Sequence, residues 1–183
     1  MIVKVVPYNP HWPASFEVEA LELKQILGKN LEKVHHIGST AVPDLMAKPI
    51  IDIMLEVSDL DALDAKNTEM EVFGYEVLGE YGIPRRRYFR KGGDNRTHQI
   101  HAFPSGDIHV TRHVAFREYL IAHEDIAREY GKLKLEIAQQ CNNDIEKYCD
   151  GKDPFVELHE KKALDWYGKR ENPTYSSDTA PPL

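Results

Sequence analysis

The chain has 183 residues, 42% hydrophobic and 29% charged, a length and balance that predict one domain with a real core and exclude a disordered or fibrous chain. Lys and Arg number 23 against 30 Asp and Glu, a net charge of −7, which argues against duplex DNA or an anionic lipid surface as partner unless basic residues gather locally. No run approaches the ~18 apolar residues of a membrane helix. The opening segment places Lys4 and Pro7 in its apolar stretch, so no secretory signal is expected and the chain reads as cytoplasmic. Cys141 and Cys149 match neither a CxxC pair nor a disulfide framework and read as reduced bystanders. The glycosylation triplet Asn95-Arg96-Thr97 would need a secreted context.

In chain order, Ile2 to Val6 is a short apolar run ended by Pro7. Phe16, Ala20, Leu23 and Leu27 recur at helical spacing and predict an amphipathic helix over about 13–28, closed by Gly28. Lys33 to Ile37 reads as a strand running into a Gly38-Ser39-Thr40 turn. In Ile50 to Val57 alternation puts Ile51, Ile53, Leu55 and Val57 on a core face, and Ile50, Asp52, Met54 and Glu56 on a face available for chemistry. Ser58 to Phe73 reads as one helix with Ser58 or Asp59 as cap. Tyr75–Leu78, Arg86–Lys91 and Thr97–Phe103 read as strands, the last two joined by a Gly92-Gly93-Asp94-Asn95 hairpin turn. Helix follows from about Thr111, with a break near His123, and another helix is expected to start at Asp153-Pro154. The stretch from Glu171 to Leu183, rich in Pro, Ser and Thr, reads as a mobile tail after a single domain over 1–170.

Gly38-Ser39 at a strand end offers a phosphate close backbone approach and a hydroxyl. Asp52 on the next strand offers a divalent metal a carboxylate oxygen. Taken singly, a Gly-Ser turn is most often only a turn, and a strand aspartate most often a member of an ion pair. The sequence from His36-Ile37-Gly38-Ser39-Thr40-Ala41-Val42-Pro43 through Ala47-Lys48-Pro49-Ile50-Ile51-Asp52-Ile53 resembles the signature of the GrpB family, a branch of the nucleotidyltransferase-like superfamily. Further matches are Arg87-Tyr88-Phe89-Arg90-Lys91, His98-Gln99-Ile100-His101, Phe116 to Leu120, Leu133-Lys134, Tyr148 and Gly151-Lys152.

The resemblance implies an α/β (α+β) fold: a nucleotidyltransferase-type mixed sheet flanked by helices, with a C-terminal helical extension. It implies catalytic Asp52 and Ser39, and a nucleotide or other phosphorylated ligand held by Gly38, Ser39, Lys48 and Lys134. It also hints at coenzyme A metabolism, since the same domain type resembles one fused to dephospho-coenzyme A kinases. Arg87 and Arg90, in the basic cluster Arg85 to Lys91, are expected to add to the phosphate site, the competing reading being solvated edge-strand charge. Nucleotidyltransferases of this kind carry two acids two residues apart on this strand; here the second position is Met54. Asp52 with His101 is therefore the expected ligand pair for one Mg2+ or Mn2+, and a metal pair is not expected. His98 and His123 read as structural, and His109 with His113 as an HxxxH spacing straddling a loop and a helix start.

Three functions compete. The first is metal-dependent nucleotidyl or phosphoryl transfer. The second, favoured by Met54, is a non-catalytic module for a nucleotide or coenzyme A-type ligand with a degenerate metal site. An adaptor acting through the helical half has no motif behind it.

Overall fold

The computed structural model describes residues 3–171. Beyond Glu171, the tail read as mobile lies outside the described residues, as do the first two positions of the chain. Five strands, β1 (Leu31–Ile37), β2 (Ile51–Val57), β3 (Tyr75–Val77), β4 (Arg87–Lys91) and β5 (His98–Pro104), form one mixed sheet in the order β1-β2-β5-β4-β3. Only β2 and β5 run parallel; the other neighbours are antiparallel. The expected mixed sheet flanked by helices is thus present.

Both faces of the sheet are covered. Helix α1 (Trp12–Leu27) lays Phe16, Ala20, Leu23 and Leu27 on Ile51, Ile53, Leu55, Val57, Ile100 and Ala102, as the four-three-four spacing predicts. Helix α4 (Ile108–Ala122) covers the opposite face, where Val110 packs with Ile37, Met54 and Phe103. The face read as open for chemistry is therefore closed along most of its length. Met54 is fully buried, and the buried Glu56 is held by His35 Nε2 at 2.6 Å and Lys33 Nζ at 3.6 Å. Asp52, at the start of β2, lies beyond the reach of that packing.

Three helix boundaries differ from expectation, two of them because capping side chains act earlier. Asp107 accepts from His109 N at 3.0 Å and starts α4 at Ile108, so His109 and His113 share one helix. Asp144 accepts from Glu146 N and Lys147 N and starts α6 (Ile145–Glu171) nine residues ahead of Pro154, which sits inside that helix. The stretch after Asp59 divides into α2 (Leu60–Asp64) and α3 (Asn67–Val72), with Asp59 capping the first. Helix α5 (Glu124–Gln140) follows the expected break at His123.

Candidate functional site

Strand β1 ends with Ile37 paired to Asp52, so the next residue, Gly38, turns directly beside the Asp52 side chain. Gly38 has φ 70° and ψ −171°, a region essentially reserved for glycine. Ser39 to Ala41 then form a single 3-10 turn pinned from two sides: Thr40 Oγ1 donates to Ile50 O at 3.3 Å, and the His36 ring meets Thr40 Oγ1 at 2.9 Å. Arg117 of α4 donates to His36 O at 2.7 Å and ties the strand end to the helix above it. Residue 47 is held by Val6 through paired backbone bonds of 2.8 and 3.0 Å, leaving Lys48 at the mouth of the turn.

Helices α5 and α6 close the hollow. They approach tightly at Gly151, where a Cβ would stand 3.0 Å from Ile137. The resulting cavity of about 430 Å³ is lined by Gly38, Ser39, Lys48 and Asp52 from the sheet end, Tyr130 and Lys134 from α5, and Tyr148, Cys149 and Lys152 from α6. Tyr88, Arg96 and Gln99 line it on the side of β4 and β5, and His113 and Arg117 from α4. Lys134 Nζ donates to Ser39 Oγ at 2.7 Å and lies 4.4 Å over the Tyr130 ring. Lys48 Nζ lies 5.1 Å over Tyr148. Burial raises the Asp52 carboxyl to about 6 against the opposing pull of Lys48, Lys152 and Lys134. Burial, reinforced by Lys152, draws Lys134 down to about 7, with Asp52 opposing.

The structure brings together five of the residues singled out from sequence: Gly38, Ser39, Lys48, Asp52 and Lys134. Three others stand elsewhere. Arg87 pairs with Ala102 across β4 and β5, on the sheet face covered by α1, and is caught bidentately by Asp64 at 2.6 and 2.7 Å. Arg90 shares the row and face of Gln99, but its guanidinium turns to the sheet edge, where Nε and Nη2 donate to Glu76. Neither lines the cavity. His101 pairs with Met54, two residues along from Asp52's partner Gln99, and stacks between Tyr88 and His113 outside the lining.

Those positions decide the fit of a divalent ion. Among the described residues no three His, Cys, Asp or Glu side chains gather as a ligand set. Of the two lining carboxylates, Glu160 is paired with Arg112 at 3.3 Å, and Asp52 faces three lysines. Hard cations need several oxygen ligands, whereas ammonium groups repel them, so this donor set does not fit Mg2+ or Mn2+ held by the protein.

Sequence reasoning missed Arg96, Tyr130, Tyr148 and Cys149 as cavity residues, whereas Gln99 lies on the site side of its strand, as alternation predicts. In the sequence Arg96 stands out only as the middle of a glycosylation triplet; its Nε is buried without a hydrogen-bond partner among the described residues. His113 donates from Nδ1 to His109 O at 2.7 Å, a bond within one helix that serves no metal.

Fold and cavity define a mixed α/β protein with a basic hollow where the first two strands meet. The chain belongs to the GrpB family: the family model, described as GrpB protein, matches residues 2–162. It is 41% identical over 170 residues to UPF0157 protein YqkA of Bacillus subtilis, covering 93% of this chain and 50% of that one, so it spans half the length of that relative. The crystal structure of the conserved protein GrpB from Enterococcus faecalis is similar at a TM-score of 0.87 and 46% identity, covering 90% of this chain and 99% of the other. A protein named dephospho-CoA kinase from Mycolicibacterium paratuberculosis is 26% identical over 189 residues, 90% of this chain and 46% of its own length. No helix among the described residues is long and apolar enough to cross a membrane.

Proposed function

We propose that the cavity binds a nucleotide or a related phosphorylated small molecule, with countercharge supplied by protein side chains. The observation that carries this is the cluster of Lys48, Lys134 and Lys152 around one carboxylate, Asp52, in a chain whose net charge is −7. Local positive charge in an acidic protein recruits a small anion more readily than a polymer. Arg96 adds a buried Nε donor with no partner among the described residues, and an unmet guanidinium donor is costly unless an acceptor arrives. Arg117, by contrast, is engaged by Glu118 at 2.7 Å.

A second hollow of about 560 Å³ lies beside the first and shares Lys48, Ile50 and Arg96 with it. An elongated ligand with its anionic middle between Lys48 and Arg96 and an end in each hollow suits this pair. That favours a coenzyme A-type ligand as the second candidate, and the relative named dephospho-CoA kinase supports it. Nucleotidyl or phosphoryl transfer is a further step, supported by the Ser39 hydroxyl on the cavity wall beside Lys134.

The test is thermal unfolding with ATP, GTP, CTP, UTP, coenzyme A and dephospho-coenzyme A, each with Mg2+ and with EDTA. Ligand at 100 times its dissociation constant adds ~2.7 kcal/mol, a rise of roughly 5–10 °C for a chain of this size. A rise with at least one of them, undiminished by EDTA, is expected. No rise with any of them overturns the reading.

A further inference from the structure

Ser39 and Lys134 meet on the cavity wall. Ser39 follows a glycine in a backbone region open only to glycine, and its Oγ stands on the cavity wall 2.7 Å from Lys134 Nζ. Lys134 is 2% exposed, yet among the described residues Ser39 Oγ is its one hydrogen-bond acceptor. An ammonium has three N–H donors to satisfy; a buried one with a single neutral acceptor is stabilised by losing a proton. The surrounding charges do not restore it. Tyr130 presents its ring from the same helix, Lys48 and Asp52 face it from the sheet end, and Lys152 faces it from α6, two like charges against one opposite. The neutral amine then has a lone pair to accept the Ser39 O–H proton, the arrangement that activates a serine in lysine-based dyads.

We propose that Ser39 is a catalytic nucleophile, with Lys134 as its general base, acting on the phosphorus of a phosphoanhydride bound in the cavity. The choice of phosphorus over a carbonyl centre rests on the phosphate reading above. In the step, Ser39 Oγ forms a bond to phosphorus and its proton passes to Lys134 Nζ. The anhydride P–O bond breaks, and the leaving phosphate departs with the electron pair of that bond. Lys48 and Lys152 face the charge that develops, where fixed cations are most effective. Water or an acceptor hydroxyl then bonds to phosphorus as the Ser39 Oγ–P bond breaks; Lys134 returns its proton to Ser39 Oγ, and the proton of the attacking oxygen leaves on the phosphate product, which frees Ser39. No oxidant or reductant is needed, and no protein-bound metal takes part.

The test uses a fluorophosphonate, in which serine displaces fluoride from phosphorus, with intact-mass and peptide mass spectrometry as readout. Expected is a single adduct on Ser39, absent in Ser39→Ala, forming faster as pH rises with a midpoint near 7. Lys134→Arg places a permanent cation that cannot serve as base near neutrality, so labelling should slow by ~10²-fold or more while circular dichroism and melting remain those of the folded parent. Inorganic pyrophosphate should protect Ser39 from the reagent.

Labelling spread over surface serines, or an unchanged rate in folded Lys134→Arg, overturns the dyad even if nucleotides still stabilise the protein. Labelling of Ser39 that pyrophosphate does not slow overturns phosphorus as the target and leaves only a reactive serine. Absence of ligand stabilisation together with clean labelling removes the phosphate reading and not the nucleophile. Circular dichroism and melting of each variant separate these outcomes from misfolding.

Discussion

Asp52 and Gly38 are in direct contact: a Cβ placed on Gly38 would stand 2.6 Å from Asp52 Oδ2 and 3.1 Å from its Cβ. Because Ile37 is the register partner of Asp52, the turn cannot slide away without breaking the last pair of the β1–β2 ladder. Gly38→Ala therefore meets both a forbidden backbone region and a clash. A destabilisation of about 1–3 kcal/mol from the backbone alone is expected, read as a fall of several degrees in melting temperature. Displacement of Asp52 should also weaken stabilisation by nucleotide ligands. A Gly38→Ala protein that melts and binds like the parent would contradict this geometry.

Asp52→Asn separates an anion site from a metal site by the sign of its effect. With protein lysines as countercharge, Asp52 repels an incoming phosphate, and its removal should tighten binding of inorganic pyrophosphate about fivefold or more above pH 6. An Asp52 that held a metal for the ligand would give the opposite result. Stability carries its own signature. The carboxyl is raised to about 6 in the folded chain from the usual 3.8, so the folded state holds this proton more tightly than the unfolded one. Its stabilising contribution is full below about pH 4 and is lost as pH rises through 6. Urea midpoints measured from pH 4 to 8 should show the parent losing stability relative to Asp52→Asn as pH rises through 6, on top of the rise that the buried His36, His101 and His113 impose on both proteins.

The strands and their facing were legible because alternation in Ile50 to Val57 and the Gly92-Gly93 hairpin are local signals. Local pattern could not show that α4 seals the second face of β2. Val110 reaches Met54 only through tertiary packing, and Glu56, on the face read as available for chemistry, is taken up by His35 at 2.6 Å. The turn bearing Gly38 and Ser39 met Asp52 as read, since a short link between neighbouring strands leaves few alternatives. Lys134 was reached through family resemblance, and nothing in its own segment announced that α5 would bring it 95 residues back to Ser39. The arginine cluster misled for a definite reason. Strand periodicity tells which face a side chain leaves from, but Asp64 and Glu76, which capture Arg87 and Arg90, lie on other elements.

Arg87→Ala and Arg90→Ala should accordingly leave ligand stabilisation and its salt dependence unchanged. Each removes one partly exposed ion pair outside the cavity, an effect of about 1 kcal/mol or less on stability. The measurement is the ligand-induced shift of each variant in 50 and 300 mM salt, compared with Lys48→Ala, for which both the shift and its salt sensitivity should fall. Loss of binding in Arg87→Ala without loss of fold would return the arginines to the site.

Met54→Asp tests whether this chain is one acid short of a metal-dependent transferase. On sequence spacing the substitution restores two carboxylates two residues apart on β2. In the structure, however, Met54 is fully buried among Ile37, Phe103 and Val110. Its neighbour across the parallel pair is His101, which burial holds far below the usual histidine range, at about 3, with the His113 ring and the Arg86 and Arg112 guanidiniums acting in the same direction. That His101 is disinclined to become the cation that a new carboxylate needs. An unpaired buried carboxylate costs several kcal/mol or takes up a proton instead. Met54→Asp should therefore melt at least 10 °C lower at pH 8, lose less at pH 5 where the new acid is protonated, and release no pyrophosphate from nucleoside triphosphates with Mg2+ or Mn2+. A stable variant that gains metal-dependent pyrophosphate release would show instead that the sheet end opens far enough to admit a metal, and would overturn the lysine-based reading of the cavity.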